Sequence, residues 1–164
     1  MLNNVSAVQR VLKNAAKSSE LGVSATATWL EQLDTEAFTW MDVLVREEVG
    51  RTLRRSDMDK LLELIEVLPE GLGLVASEQA GLGQDRIATV LRAFYSSLFS
   101  TVAPHFERLH DPELRELTRR HTAEVVADAH AKVHTIVSDP KNKYNTNVLA
   151  HTHAEVRVLL GCSN

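Results

Sequence analysis

The sequence is short of cysteine, proline and glycine, and it contains no long apolar run. Cys162 is the one cysteine among 164 residues, so an intramolecular disulfide is excluded, which is typical of proteins from a reducing compartment. The first twenty residues lack the basic and then apolar segments of a signal peptide. No stretch reaches the roughly 18 apolar residues of a membrane-spanning helix. We therefore expect a soluble protein, with membrane association that is peripheral at most.

Basic residues do not outnumber acidic ones. The chain has 18 Lys and Arg against 22 Asp and Glu, a formal net charge of −4, so the composition predicts no nucleic-acid partner. Only four prolines and few alternating apolar runs favour an all-α fold. A chain of this length fits one domain, which can bury roughly 70% of its unfolded surface.

Apolar residues three or four positions apart predict the helices of the first half of the chain. The first helix begins at Asn3 or Asn4, and Gly22 with the small residues at positions 24–28 predicts a break after it. The second helix is predicted to begin at Trp29 or Asp34. It should continue to Arg55, with one apolar stripe along its length.

The next boundaries are predicted from capping residues, proline and glycine. Ser56 with Asp59 three residues later is a variant of the capping box, so a third helix should begin there and end before Pro69. Four glycines predict a loop over residues 70–84. A fourth helix should begin at Asp85 and continue to about residue 102.

The last fifty residues carry the clearest start and stop signals. Asp111 and Pro112 are typical of a helix start, and the apolar spacing that follows predicts a helix of about 40 Å. Asp139-Pro140 should end it. Thr152 and Glu155 form a capping-box pattern, which predicts a short terminal helix. We expect this helix to dock on the long one and to bury one of its paired leucines, Leu159 and Leu160.

This terminal region also resembles a known family. Residues 138–144 read Ser-Asp-Pro-Lys-Asn-Lys-Tyr, residues 148–152 read Val-Leu-Ala-His-Thr, and Val156, Leu159 and Leu160 follow. The order and spacing are similar to the C-terminal end of the sixth subunit of the conserved oligomeric Golgi complex, a vesicle-tethering assembly. The pattern persists upstream to about Leu33. Proteins of that family are several times longer, so the resemblance implies a C-terminal fragment or a shortened gene product.

The resemblance implies a rod of stacked helical bundles that acts in retrograde transport within the Golgi. The implied location is the cytoplasmic face of the Golgi membrane, where the protein would be peripheral and held through its partners. The implied partners are the other subunits of the complex, SNARE proteins and Rab proteins. No residue of the family has a catalytic role, so the resemblance implies no catalytic, cofactor-binding or metal-binding residue in this chain.

Histidines are the most suggestive chemical residues. His130 and His134 are four positions apart, and His151 and His153 could complete a metal site. The HExxH pattern is absent, however, and the neighbouring apolar residues Ala129 and Val133 predict that the pair faces solvent. We therefore predict no metal and no cofactor.

Other candidate sites have simpler structural explanations. His121 with Glu124 or Asp128 could form a base and its orienting partner, but helix-surface ion pairing explains the spacing. Cys162, near the end of the chain, is a poor candidate nucleophile. The basic residues around Arg51 could meet anionic lipid, but adjacent glutamates favour a solvated helix face.

The aromatic residues divide into expected core and a possible contact face. Most of them, Trp40 and Phe106 included, are expected in the core or in helix contacts. Tyr95 and Phe99 lie about one position off the stripe of the fourth helix and should widen its apolar face. Together with apolar residues of the first helix, such as Val8, they predict an exposed apolar patch near the N-terminal end.

The sequence therefore predicts an all-α antiparallel helical bundle with a long penultimate helix and a short docked C-terminal helix. We divide it into a loosely attached helix, residues 1–28, and a bundle, residues 29–164. Such a scaffold without an active site is expected to act through protein contacts. The resemblance implies that it is a non-catalytic C-terminal part of a Golgi tethering subunit. The alternatives are a metal-binding helical enzyme and a stand-alone four-helix regulatory domain.

Overall fold

A computed structural model of the protein describes residues 2–18, 23–68, 74–98 and 106–162. These residues form six α-helices and no strand, which confirms the all-α prediction. No helix in this part of the chain combines the length and the apolar character needed to cross a membrane. The helices are α1 Leu2–Ser18, α2 Val23–Arg54, α3 Met58–Glu66, α4 Gln84–Leu98, α5 Pro112–Ser138 and α6 His153–Leu159. Short 3₁₀ turns cover Ala76–Glu78, Phe106–Arg108, Pro140–Asn142 and Thr146–Val148.

Helix α2 begins earlier than the sequence predicts. Residues 24–28 belong to the helix, so the part of the predicted break that falls on these small residues is wrong, while Gly22 lies outside the described residues. Two of them are alanine, which has the highest helix propensity, and the serine and threonines cost only a fraction of a kcal/mol each. Small side chains therefore weaken the apolar pattern here without ending the helix.

The start of α3 also differs from the prediction. The Ser56 hydroxyl donates to the carbonyl of Leu53 at 3.0 Å, so it does not cap the next helix. Asp57 precedes α3 in the left-handed region, with φ of 58°, and makes no side-chain cap. Its carboxylate instead lies 2.9 Å from Lys60 Nζ and 3.1 Å from Arg86 Nη2. The predicted capping box at Ser56 is therefore wrong. Pro69 and Phe99 lie outside the described residues.

The boundaries of α5 follow the sequence signals. Asp111 Oδ1 accepts hydrogen bonds from the backbone N–H groups of Glu113 and Leu114 at 3.0 and 3.2 Å. These are donors that an uncapped first turn would leave unpaired. The helix contains 27 residues and ends at the Asp139-Pro140 step, where Asp139 is extended. The predicted long penultimate helix is confirmed.

The chain forms two compact units that interleave along the sequence. One unit contains Met1–Glu47 and Ala103–Arg119, and the other contains Glu48–Val102 and Arg120–Asn164. The boundaries fall inside α2 and inside α5. The predicted division into residues 1–28 and 29–164, which is sequential, stays a prediction.

In the first unit, α1 packs antiparallel to α2. Leu2 belongs to a buried cluster with Ala37, and Gln9 Nε2 donates to Asp34 Oδ1 at 2.8 Å. A later residue of α1 thus contacts an earlier residue of α2, as in an antiparallel pair. Leu109 completes the cluster from the turn before α5. Burial of these residues stabilises this small core, at roughly 25 cal/mol per Å² of apolar surface.

The second unit contains the larger core. Phe94 of α4 and Val133 of α5 are fully buried, and Val156 of α6 is equally inaccessible. The segment between α5 and α6 lies against the turn before α4, because Tyr144 is buried and its hydroxyl donates to the carbonyl of Leu82 at 2.7 Å. The terminal segment is thus part of this core.

Helix α6 docks as predicted, but through a different residue. Thr152 and Glu155 form the predicted capping box, and Gly161 has the positive φ of a C-terminal glycine cap, 77°. Val156 faces the core, whereas Leu159 is 41% exposed and Leu160 is half-buried. A helix of seven residues presents little more than one residue to a neighbour, and here Val156 takes that place. The expectation of a buried leucine is therefore wrong for Leu159.

Candidate protein-interaction surface

Helix α2 of the first unit presents large apolar side chains to solvent. Trp29 is 63% exposed, Trp40 is 38% exposed and Val43 is 40% exposed. At about 100° per residue, these three and the exposed residues Glu36 and Glu47 lie within about 60° of one another around the helix. We call these five residues the Trp40 face. Its members form one ridge about 27 Å long, at 1.5 Å per residue.

A groove of about 460 Å³ opens beside the C-terminal half of this face. Leu2 and Leu109 form its apolar base. Both side chains are held in the core cluster of the unit, at 5% and 4% exposure. Glu47 and Arg108 supply charged groups at its wall. The groove is lined by Leu2, Asn3, Trp40, Val43, Leu44, Glu47, Arg108 and Leu109.

The amide side chain of Asn3 holds one wall of the groove in place. Its Nδ2 donates to the carbonyl of Arg108 at 2.8 Å, and its Oδ1 accepts from the backbone N–H of His110 at 2.9 Å. The guanidinium of Arg115 donates twice to the carbonyl of Leu109, at 3.1 and 2.7 Å. These bonds satisfy backbone groups that the short turn leaves open, and they fix the start of α1 against it.

The carboxylates of the Trp40 face are available to a partner. Within the described part of the chain, neither Glu36 nor Glu47 has an ion pair or a hydrogen bond from a side chain. Asp34, which lies off this face, is instead engaged by Lys13 at 4.0 Å and by Gln9. The face therefore combines apolar side chains with unpaired negative charge.

Sequence reasoning missed this surface. The sequence predicts Trp40 in the core or in helix contacts, whereas its side chain is 38% exposed, and it indicates Trp29 only as a helix start. The available signal was the spacing of 11 residues between the two tryptophans, which is close to three helical turns. That spacing places Trp29 and Trp40 together beside the buried stripe of Ala37 and Met41.

The histidines lie in the second unit, and His130 contradicts the sequence prediction. Its ring is fully buried, whereas the spacing predicted a solvent-facing residue. Nε2 is hydrogen-bonded to the hydroxyl of Tyr95 at 3.0 Å, and the ring stacks on Phe94 with centroids 5.7 Å apart. Burial, and secondarily the neighbouring His134, lowers the pKa of His130 to about 4. His130 is thus a neutral residue that links α4 to α5.

The remaining histidines surround this contact without forming a ligand set. His134 Nδ1 lies 3.3 Å from Ser138 Oγ, and the ring of His151 meets the edge of Tyr95 at 5.0 Å. His153 is half-buried. Among the described residues, no three His, Cys, Asp or Glu side chains converge on a point where they could hold a metal ion.

Tyr95 belongs to the core and to no exposed face. It is 7% exposed because His151 of the terminal segment packs against it. Tyr95 thus extends the apolar face of α4 to a second surface, but its predicted place in an exposed patch is wrong. On α1, Val8 is 48% exposed, as the patch prediction requires. The existence of one contiguous patch stays a prediction.

The other candidate residues have structural contacts. His121 Nδ1 lies 4.0 Å from Glu124 Oε2 on the exposed surface of α5, a helix-surface pair. Arg51 pairs with the buried Glu48, so part of the basic segment stabilises the fold. Cys162 is buried, and burial raises the pKa of its thiol. A raised pKa leaves less thiolate, the form that reacts as a nucleophile.

Comparison with known proteins gives one family and one curated relative. The family described as Conserved Oligomeric Golgi complex subunit 6, C-terminal, matches residues 1–160. The chain is also 26% identical over 149 residues to conserved oligomeric Golgi complex subunit 6 of Dictyostelium discoideum. That alignment covers 88% of this chain and 21% of the relative, so the chain spans about a fifth of that protein's length. No solved structure gives a significant match.

Proposed function

The chain belongs to the family of the C-terminal region of conserved oligomeric Golgi complex subunit 6, and from this membership we propose that it is a non-catalytic part of a Golgi vesicle-tethering complex. The observation that carries the proposal is the family match over residues 1–160, which covers both compact units. The proposed activity is intra-Golgi retrograde transport through protein–protein contacts.

The proposed partners are the other subunits of the complex, with SNARE and Rab proteins as transient partners. The chain would lie at the cytoplasmic face of the Golgi as a peripheral protein held by these contacts. Support comes from the Trp40 face and its groove, since exposed aromatic side chains beside a preformed groove are typical of protein-binding surfaces.

Affinity purification of the tagged chain from eukaryotic cells that contain the complex tests the proposal. We expect the other subunits of the complex to co-purify, and we expect the tag to overlap with a Golgi marker in fluorescence microscopy. Val156→Asp serves as the control, because it places a charge at a fully buried position and should disrupt the second unit.

Two results would contradict the proposal. One is purification of the folded chain without any subunit of the complex, together with a distribution that does not follow the Golgi marker. The other is equal recovery of the subunits with Val156→Asp, because a specific association should depend on the folded units.

A further inference from the structure

We propose that the Trp40 face and its adjoining groove bind an amphipathic helix of a partner protein whose apolar stripe is flanked by Lys or Arg. The inference rests on the proposed function for the existence of a protein partner. The class of partner follows from the side chains of α2, their exposure and their charge. The occupant is thus defined by chemistry, as a basic amphipathic helix.

Shape favours a helix as the occupant. Trp29, Trp40 and Val43 form a straight ridge along one side of α2, and a second helix can pack its own ridges against such a row. A ridge of about 27 Å corresponds to a partner helix of about 18 residues, or five turns. One bulky apolar residue of that helix can enter the groove, whose base is formed by Leu2 and Leu109.

Exposure makes the contact energetically favourable. Covering two tryptophans and a valine removes large apolar surfaces from water, and buried tryptophan is enriched among the residues that dominate binding energy. Trp40 lines the groove and is 38% exposed, against 63% for Trp29, so more of its side chain is already packed and it loses less side-chain freedom on binding. We therefore expect Trp40 to contribute most.

The carboxylates of the Trp40 face favour a positively charged partner. Glu36 and Glu47 lie on the face about 16 Å apart, on either side of Trp40, at 1.5 Å per residue. Arg108 is the one basic residue among the described residues that line the groove, so the combined charge of Glu36, Glu47 and Arg108 is negative. Lys or Arg residues about three turns apart on the partner would meet both carboxylates, which increases specificity and the association rate.

The same charges disfavour a second copy of this chain as the occupant. In a two-fold arrangement, each Trp40 face would meet its own image. Glu36 and Glu47 would then lie opposite carboxylates, and like charges placed together at an interface are unfavourable. Self-association through this face is therefore an outcome that would contradict the proposal.

The fluorescence of the intact chain provides a direct test. Trp29 and Trp40 are the two tryptophans of the sequence and both lie on the Trp40 face, so emission excited at 295 nm reports on this surface. The probe is an 18-residue helical peptide without aromatic residues, with a leucine stripe flanked by lysines. A matched peptide carries glutamate in place of every lysine.

We expect the lysine peptide to shift the emission to shorter wavelength in a saturable titration. Its dissociation constant should be at least tenfold lower than that of the glutamate peptide. Trp40→Ala should weaken binding of the lysine peptide at least tenfold, measured by anisotropy of a labelled peptide. Glu47→Lys should weaken binding of the lysine peptide and strengthen binding of the glutamate peptide. A loss of folding would not strengthen binding of either peptide.

Phe38 offers a matched control on the same helix. It is 57% exposed but lies about 160° around α2 from Trp40, at 100° per residue. Phe38→Ala should leave the dissociation constant within twofold. Equal binding of both peptides, equal weakening by Phe38→Ala and Trp40→Ala, or a concentration-dependent emission shift without any peptide would each overturn the proposal.

Comparison of the peptide titrations with purification of the wild-type chain from cells separates this inference from the proposed function. If subunits of the complex co-purify with the wild-type chain but neither peptide binds, the helix-binding inference fails and the proposed function stands. If the lysine peptide binds as expected but no subunit co-purifies, the surface stands and the proposed function fails.

Discussion

The hydroxyl of Tyr144 donates a 2.7 Å hydrogen bond to the carbonyl oxygen of Leu82, across 62 residues of sequence. Tyr144 is 9% exposed, and burial raises its pKa to about 12, so the phenol remains a donor throughout the physiological range. This bond joins the segment after α5 to the turn that precedes α4. The first prediction concerns its removal.

Tyr144→Phe should lower the free energy of unfolding by about 1 to 2 kcal/mol, because it removes the donor and leaves the carbonyl of Leu82 without that partner. Urea denaturation followed by circular dichroism measures the change. Lys143→Ala is the control, since Lys143 and Glu78 form an exposed ion pair that should contribute less than about 0.5 kcal/mol. Equal effects of the two substitutions would contradict the importance of the buried bond.

Val156→Ala should destabilise the protein by about 2 kcal/mol, because it deletes two buried methyl groups and leaves a cavity under α6. Val158 lies on the same helix and is 74% exposed, so Val158→Ala should change the free energy of unfolding by less than about 0.5 kcal/mol. Thermal or urea denaturation distinguishes the two. Similar values would mean that α6 does not dock through Val156.

Thr152→Ala should loosen α6 by about 1 kcal/mol, since the hydroxyl accepts from the backbone N–H of Glu155 at 3.2 Å. Amide hydrogen exchange should show faster exchange over His153–Leu159 and unchanged protection in α4. Thr152→Ser retains the hydroxyl and is the control. Its protection should stay close to that of the wild type, and a loss equal to that of the alanine variant would contradict the capping role.

The protein should become less stable as the pH falls from about 6.5 to about 4, in part because of His130. Burial lowers the pKa of His130 from 6.5 to about 4, so in this window the unfolded chain takes up a proton that the folded chain does not. Above pH 6.5, His130 is neutral in both the folded and the unfolded chain, so its burial does not lower the free energy of unfolding there. Near pH 4 the free energy of unfolding can be lower by about 3 kcal/mol because of His130. The neighbouring His134, His153 and His151 also disfavour a positive charge on His130 and so lower its pKa further.

Urea denaturation at several pH values tests this account. His130→Gln can still pair with the Tyr95 hydroxyl but does not titrate, so its stability should fall less steeply between pH 6.5 and 4. His121→Gln alters a half-buried histidine at the surface of α5, away from the contact with Tyr95, and should retain the wild-type slope. Identical slopes for all three proteins would show that His130 does not cause the loss.

Local signals made most of the helix boundaries predictable. The Asp111 cap, the Asp139-Pro140 stop and the Thr152–Glu155 box act within four residues, so the sequence contains all the atoms involved. The break predicted at residues 24–28 failed because weak apolar periodicity is not a helix stop. The Ser56 start failed because its hydroxyl found a competing acceptor on the preceding turn, the carbonyl of Leu53.

Side-chain environments were less predictable because they depend on the neighbouring element. His130 lies beside Ala129 on α5, and periodicity alone could not show that α4 would supply Tyr95 and Phe94 to cover it. The exposure of Trp40 likewise depends on which helices pack against α2. Residue spacing places the two tryptophans on one side of the helix, but only the three-dimensional structure shows that this side is open beside a groove.

The contacts between residues 76–84 and 142–145 also delay folding of the second unit during biosynthesis. The backbone N–H of Ala76 donates to Asn142 Oδ1, 66 positions later. The carbonyl of Leu82 likewise accepts from Tyr144, which is synthesised 62 positions later. At roughly 5 to 20 residues per second, the ribosome needs about 3 to 12 s to add the 62 residues between these partners. During that delay the apolar surface of α4 that α5 later covers is exposed to solvent, so cotranslational chaperones can bind the second unit until Val156 has emerged.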